Sequence, residues 1–168
     1  LAVVPRPTRL RATAGAFRKA LEERLKRASV IEKSDLNRLR RRVAFDRLLA
    51  RLFLEERAPW ALKGGYALEL CLKAARSTVD IDLTLERAVA ATSPGGDTNQ
   101  IVREMLQSVA DLRLGDWLEY AIGPPVLDVT AAPYGGARYP VEVRMDGRIF
   151  ARFHLDAGVG DVVMHPLE

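Results

Sequence analysis

The sequence has a single cysteine, few aromatic side chains and no long apolar run. One thiol, Cys71, cannot form an internal disulfide, which agrees with a reducing compartment; its place among apolar residues of an expected helix reads as core. No stretch approaches the roughly eighteen consecutive apolar residues of a membrane-spanning helix, and the start carries no signal-peptide pattern. A cytoplasmic protein that does not engage a membrane is therefore expected. The 11 Phe, Trp and Tyr residues form no ladder of the kind that stacks bases, so nothing in the chain reads a nucleotide sequence.

What is present is an ordinary globular composition, 48% hydrophobic and 29% charged over 168 residues, enough for one domain around one core. The net charge of +4 hides an uneven distribution. Residues 1–57 hold 16 basic side chains against 7 acidic ones, and residues 58–168 hold 10 against 15. The basic front suits a polyanionic partner while the acidic back suits a cation; the alternative is that arginine-rich helices are merely well solvated.

Between Trp60 and Leu83 the signals are densest. Trp60 to Lys63 reads as a short strand, and Gly64-Gly65 lets the backbone turn sharply and approach a ligand without a Cβ in the way. Tyr66 to Ala74 reads as a helix with Leu68, Leu70, Cys71 and Leu72 inward and Glu69 and Lys73 outward. Free N–H groups at the start of such a helix, with the positive end of its dipole, make a phosphate cradle. From Val79 the period becomes two, placing Asp80 and Asp82 on one face of a strand and Val79, Ile81 and Leu83 on the other. Two carboxylates about 6 to 7 Å apart repel unless a cation lies between them, and hard oxygen donors suit Mg²⁺ or Mn²⁺.

Elsewhere the chain starts at Leu1 rather than Met, consistent with a portion of a longer product, and residues 1–8, with Pro5 and Pro7, read as an extended arm. A helix is expected from Thr13 to Arg27, and a second, capped by Ser34, from Asp35 to Arg57. Arg40, Arg47 and Arg51 share one stripe of it, a candidate surface for a phosphate backbone unless it is simply a solvated face. Another helix spans Asn99 to Leu114 with Ile101, Met105, Val109 and Leu112 inward, then strands at Trp117–Ile122 and Val126–Ala131. Tyr139–Arg144 and Ile149–Asp156 alternate as a hairpin. A two-residue Asp146-Gly147 turn would oppose Val143 and Phe150 and mix the faces. A three-residue Met145–Gly147 loop, setting Val143 opposite Ile149, Val141 opposite Ala151 and Tyr139 opposite Phe153, keeps them apart and is the register expected. Asp156 then shares the polar face of Arg152 and His154. His154 either lines a cleft there or is an ordinary sheet residue.

The order Lys63-Gly64-Gly65-x-Ala67-Leu68, followed by Arg76-x-Thr78-x-Asp80-x-Asp82-Leu83, resembles the signature of the AbiEii-type nucleotidyltransferase toxins, which include the MenT toxins, within the DNA polymerase β-like nucleotidyltransferase superfamily. The resemblance implies an α+β fold with a mixed, mainly antiparallel sheet, helices packed on one face, and the basic helices of residues 1–57 added to a sheet-containing core at 58–168. It implies metal-dependent transfer of a nucleotide from a nucleoside triphosphate, with RNA, tRNA foremost, as acceptor and an antitoxin as partner. Asp80 and Asp82 are then metal ligands and catalytic; Asp156 is the preferred third carboxylate and Asp128 its competitor. Lys63, Gly64, Gly65, Tyr66, Arg76 and Thr78 form the nucleotide side, Tyr66 through its backbone, since its side chain replaces the small hydroxyl residue many relatives have. Family members carry a further lysine and aspartate in a helical part after the sheet, and no such element precedes Glu168. A metal-dependent nuclease and a non-catalytic nucleotide-binding or interaction module are the alternatives.

Overall fold

The computed structural model describes residues 13–55, 58–72, 78–85, 97–128 and 135–160. Helix α1 (Ala14–Glu32) starts where Thr13 accepts the Ala16 N–H, and it ends at Lys33, which takes a left-handed conformation. Helix α2 (Leu36–Leu52) is capped by Asp35, whose carboxylate accepts the Arg38 N–H at 2.9 Å. Asp35, not Ser34, is therefore the cap. The helix stops at Leu52 rather than Arg57, and the Trp60 indole donates back to the Leu52 carbonyl at 2.7 Å.

Strand β1 (Trp60–Lys63) leads into α3 (Gly64–Leu72), then β2 (Asp80–Leu85), α4 (Thr98–Ala110), β3 (Glu119–Ile122), β4 (Leu127–Asp128), β5 (Gly136–Met145) and β6 (Arg148–Val159). The sheet order is β1-β2-β6-β5-β3, with β4 also pairing β5. Only β2 and β6 run parallel among the described pairs. The sheet is thus mixed and mainly antiparallel, as expected.

One face of this sheet is apolar and covered by helices. Ile81, Leu83 and Leu85 of β2 alternate with Asp80, Asp82 and Thr84, and the first three are buried with Tyr139, Val141, Phe153 and Leu155 of the neighbouring strands. Onto them α2 lays Phe45, Leu48 and Leu52, and α4 lays Val102, Leu106 and Ala110. The Phe45 ring meets Tyr66 and Phe153 edge-on, with centroids 4.9 and 4.7 Å away, tying α2, α3 and β6 together. Helix α2 thereby contributes to the core. Helix α1 is held by Arg18, which donates to the Met145, Arg148 and Ile149 carbonyls at the tip of the β5–β6 hairpin.

Four further expectations differ from this arrangement. Helix α4 is rotated by about one residue: Val102, Leu106 and Ala110 face the core, Met105 and Val109 flank it, and Leu112 is exposed. Helix α3 anchors through Tyr66, which leaves Leu68, Leu70 and Cys71 exposed, so the thiol is not a core group. The stripe of Arg40, Arg47 and Arg51 is not a free surface: Arg40 pairs with Glu22, and Arg47 and Arg51 both hold Asp116. The hairpin turn is the two-residue one, with positive φ at Asp146 and Gly147 as its tight geometry requires. A bulge repairs the faces: Arg144 pairs with Ile149 and Val143 with Ala151, so Phe150 has no partner and turns inward beside Ala151 while Ile149 becomes exposed. Val141 then opposes Phe153 and Tyr139 opposes Leu155, two residues further along than expected.

Candidate active site

The face of the sheet opposite α2 and α4 carries the charged residues, and register brings them together. Asp82 of β2 lies opposite Asp156 of β6 on one side and Lys63 of β1 on the other, while Asp80 lies opposite His154. Asp156 is in turn opposite Arg138 of β5. Asp128 is in β4, beyond β5, so the strand beside Asp82 supplies Asp156 and not Asp128. Arg76 lies outside the described residues.

The glycine turn is fitted against these acids. Gly64 has φ of 71°, and a Cβ there would lie 2.0 Å from an Asp82 carboxylate oxygen. A Cβ on Gly65 would lie 2.7 Å from the Thr78 hydroxyl. A side chain at position 64 would need a left-handed backbone and a displaced Asp82, and one at 65 a displaced Thr78 hydroxyl; the turn brings backbone within reach of both residues. The Tyr66 side chain is buried and its hydroxyl donates to Asp46, so that hydroxyl is turned to the core and only the backbone of this residue belongs to the turn.

Arg138 is the residue the sequence did not reveal. Its Nε and Nη2 donate to both oxygens of Asp156 at 2.7 Å, and Nη2 reaches Asp80 at 3.5 Å. The Asp156 hydrogen bond and charge, followed by the nearby Asp80 and Asp82, raise the Arg138 pKa further above its already high value. Asp80 also receives the His154 backbone N–H at 3.3 Å and lies 3.4 Å from its Nδ1. In the expected register Arg138 would have opposed His154; the two-residue turn and the bulge at Phe150 each move the pairing by one residue and together put it opposite Asp156.

Asp82 is treated differently from its neighbours. Burial raises its pKa first, Asp156 and Asp80 push the same way, and Lys63 and Arg138 only partly oppose them. The result is a half-buried carboxylate flanked by two others, with a net cost to its charged form. Oxygen donors in this state fit a hard divalent cation, with Asp80 and Asp82 as its holders. Asp156 is already spent on Arg138, and among the described residues no three acid, thiol or imidazole side chains are gathered closely enough to ligate one ion together.

A comparison with the curated proteins returns no match. The family model described as "Nucleotidyl transferase AbiEii toxin, Type IV TA system" matches residues 47–168, from the middle of α2 through the whole sheet and every residue of this charged face. That span contains the glycine turn, the Asp80-x-Asp82 strand and the sheet that carries them, and the chain belongs to the AbiEii family, the nucleotidyl transferase toxins of type IV toxin–antitoxin systems.

Proposed function

We propose that this chain transfers a nucleoside monophosphate from a nucleoside triphosphate to an RNA acceptor, tRNA foremost, in the cytoplasm, with Mg²⁺ or Mn²⁺ as cofactor and an antitoxin as its partner. The observation that carries this reading is Asp82, a half-buried carboxylate between two others and directly against the Gly64 turn. Asp80 and Asp82 would hold the cation, which when bound supplies neutralisation of the triphosphate and a lowered pKa for the acceptor hydroxyl. Asp156, held by Arg138, keeps a second layer of negative charge beside them.

The backbone N–H groups of Gly64, Gly65 and Tyr66 open a nine-residue helix and donate to the leaving phosphates, with Lys63, Thr78 and Arg76 as side-chain contacts. The acceptor hydroxyl oxygen bonds to the α-phosphorus, the bond from that phosphorus to the bridging oxygen breaks, and pyrophosphate leaves on the glycine side. The hydroxyl proton is released to solvent. Transfer of label from each α-labelled nucleoside triphosphate to total tRNA, with wild type beside Asp82→Asn, tests the reading. Labelled tRNA that the substitution reduces at least about a hundredfold is expected. Shortening of RNA without any triphosphate would replace transfer with hydrolysis, and label unaffected by the substitution would remove Asp82 from the site.

A further inference from the structure

A cleft of about 810 Å³ begins at Asp80 and runs away from the glycine turn, across β6 and β5 to the end of β3. That volume lies in the range of ordinary ligand sites. Residues from both sides of the sheet line it: Arg41 of α2 and Arg103 of α4 from the covered side, and Asp80, Glu142 of β5 and Arg152 and His154 of β6 from the other. Glu142 is neutralised by hydrogen bonds from Arg152 and Arg144, which hold its pKa below the usual value. The balance of the cleft is therefore cationic.

Arg41 is the unexplained group in it. It stands four residues before Phe45 and seven before Leu48, on the stripe of α2 that faces the core, so helical geometry carries its guanidinium inward. Its Nε is fully enclosed and has no hydrogen-bond partner among the described residues. Leaving a charged donor desolvated and unmatched is costly, whereas the arginines of the same helix at 40, 47 and 51 are all paired. Arg41 also lines the cleft, so an anion there would meet the rest of a guanidinium whose charge no described acid matches.

In-line displacement at phosphorus needs the attacking and leaving oxygens on opposite sides. The glycine turn abuts Asp82, and the cleft opens from Asp80, so the carboxylates lie between the two. Resting on the transferase reading above, we infer that this cleft seats the acceptor strand, with Arg41 and Arg103 gripping a phosphodiester next to the nucleotide that is extended.

The test is binding without turnover. A mixed-sequence single-stranded RNA of about twelve nucleotides, with no triphosphate and no divalent ion present, is titrated against the chain and followed by fluorescence anisotropy at several salt concentrations. Arg41→Gln is expected to weaken binding about tenfold at 0.1 M salt and to flatten the slope of log K against log salt by about 0.7, the loss of one single-strand phosphate contact. Arg24→Gln, the same charge change on the exposed side of α1, should cost less than about twofold. Arg103→Gln should weaken RNA about threefold or more and keeps the inference testable if Arg41→Gln does not fold. Binding of a non-hydrolysable triphosphate analogue should be unchanged by Arg41→Gln. Loss of RNA no greater than with Arg24→Gln, or equal loss of RNA and analogue, would overturn the cleft assignment. A chain that labels no RNA yet depends on Arg41 to bind it keeps the cleft and drops the transfer; one that labels RNA regardless of Arg41 does the reverse.

Discussion

Two clusters of acid and arginine in this molecule use the same chemistry to opposite ends. At Asp116 the carboxylate is held by Arg47 through Nε at 2.7 Å and by Arg51 at 2.9 and 2.7 Å; Arg51, only 2% exposed, also donates to the carbonyls of Leu112, Arg47 and Leu118. Burial alone would raise the Asp116 pKa, but the hydrogen bonds from Arg51 and Arg47 outweigh it and hold the value low. At Asp80, Asp82 and Asp156 the cations among the described residues are Arg138, which satisfies Asp156, and Lys63 opposite Asp82, and they do not offset the rise in the Asp82 pKa. The first cluster locks α2 to the segment before β3. The second leaves Asp82 short of positive charge. Full internal compensation marks the structural cluster, and incomplete compensation among the described residues marks the candidate site.

The contrast breaks most visibly at the structural end. Asp116→Ala would strand a buried guanidinium, and removing one partner of such a pair costs about 3–5 kcal/mol. Against a typical total of about 5–15 kcal/mol this is a large fraction, so urea or thermal melts should shift by the greatest amount here. Arg138→Gln acts on a pair whose two side chains are 33% and 17% exposed, and solvent screening limits its loss to about 1 kcal/mol or less. Melts of the two variants side by side should differ by several-fold in lost stability. Equal losses would mean that the Arg138 cluster is as structural as the other.

Much of this contrast lay beyond the reach of sequence. Local patterns were legible: β1 runs over Trp60–Lys63 as its apolar run and the following glycines required, Asp80 and Asp82 share a face, and Asp156 keeps the parity of Arg152 and His154. Those features depend on neighbours one to four residues apart. The purpose of each arginine does not. Arg47 and Arg51 look like an exposed stripe until Asp116, over sixty residues away, is brought against them, and Arg138 looks like any strand residue until the Phe150 bulge sets its partner. A single unpaired residue moves the whole far end of a hairpin, and composition carries no trace of where it falls. Cys71 and Leu70 misled for a related reason, since Tyr66 is the side chain that anchors so short a helix.

The smallest effect concerns the sign of a slope. Asp116 has a folded-state pKa below its unfolded value, so its contribution to stability is present above pH 3.8 and is lost as pH falls through the lower folded value. Asp82 has a folded-state pKa above 3.8; between the two values the folded chain binds the proton more tightly, and stability attributable to this residue declines as pH rises through that window. Asp82→Asn removes only the second behaviour. The difference in unfolding free energy, wild type minus variant, should therefore fall as pH is raised from just below 3.8 toward neutrality and then level off. Urea melts at closely spaced pH values measure it. Saturating Mn²⁺ at neutral pH should raise the levelled part for wild type and leave Asp82→Asn unmoved, because the cation supplies the charge that Arg138 cannot spare. A difference that rises with pH would place Asp82 with Asp116 among compensated acids, and the distinction between the two clusters would then lose its physical basis.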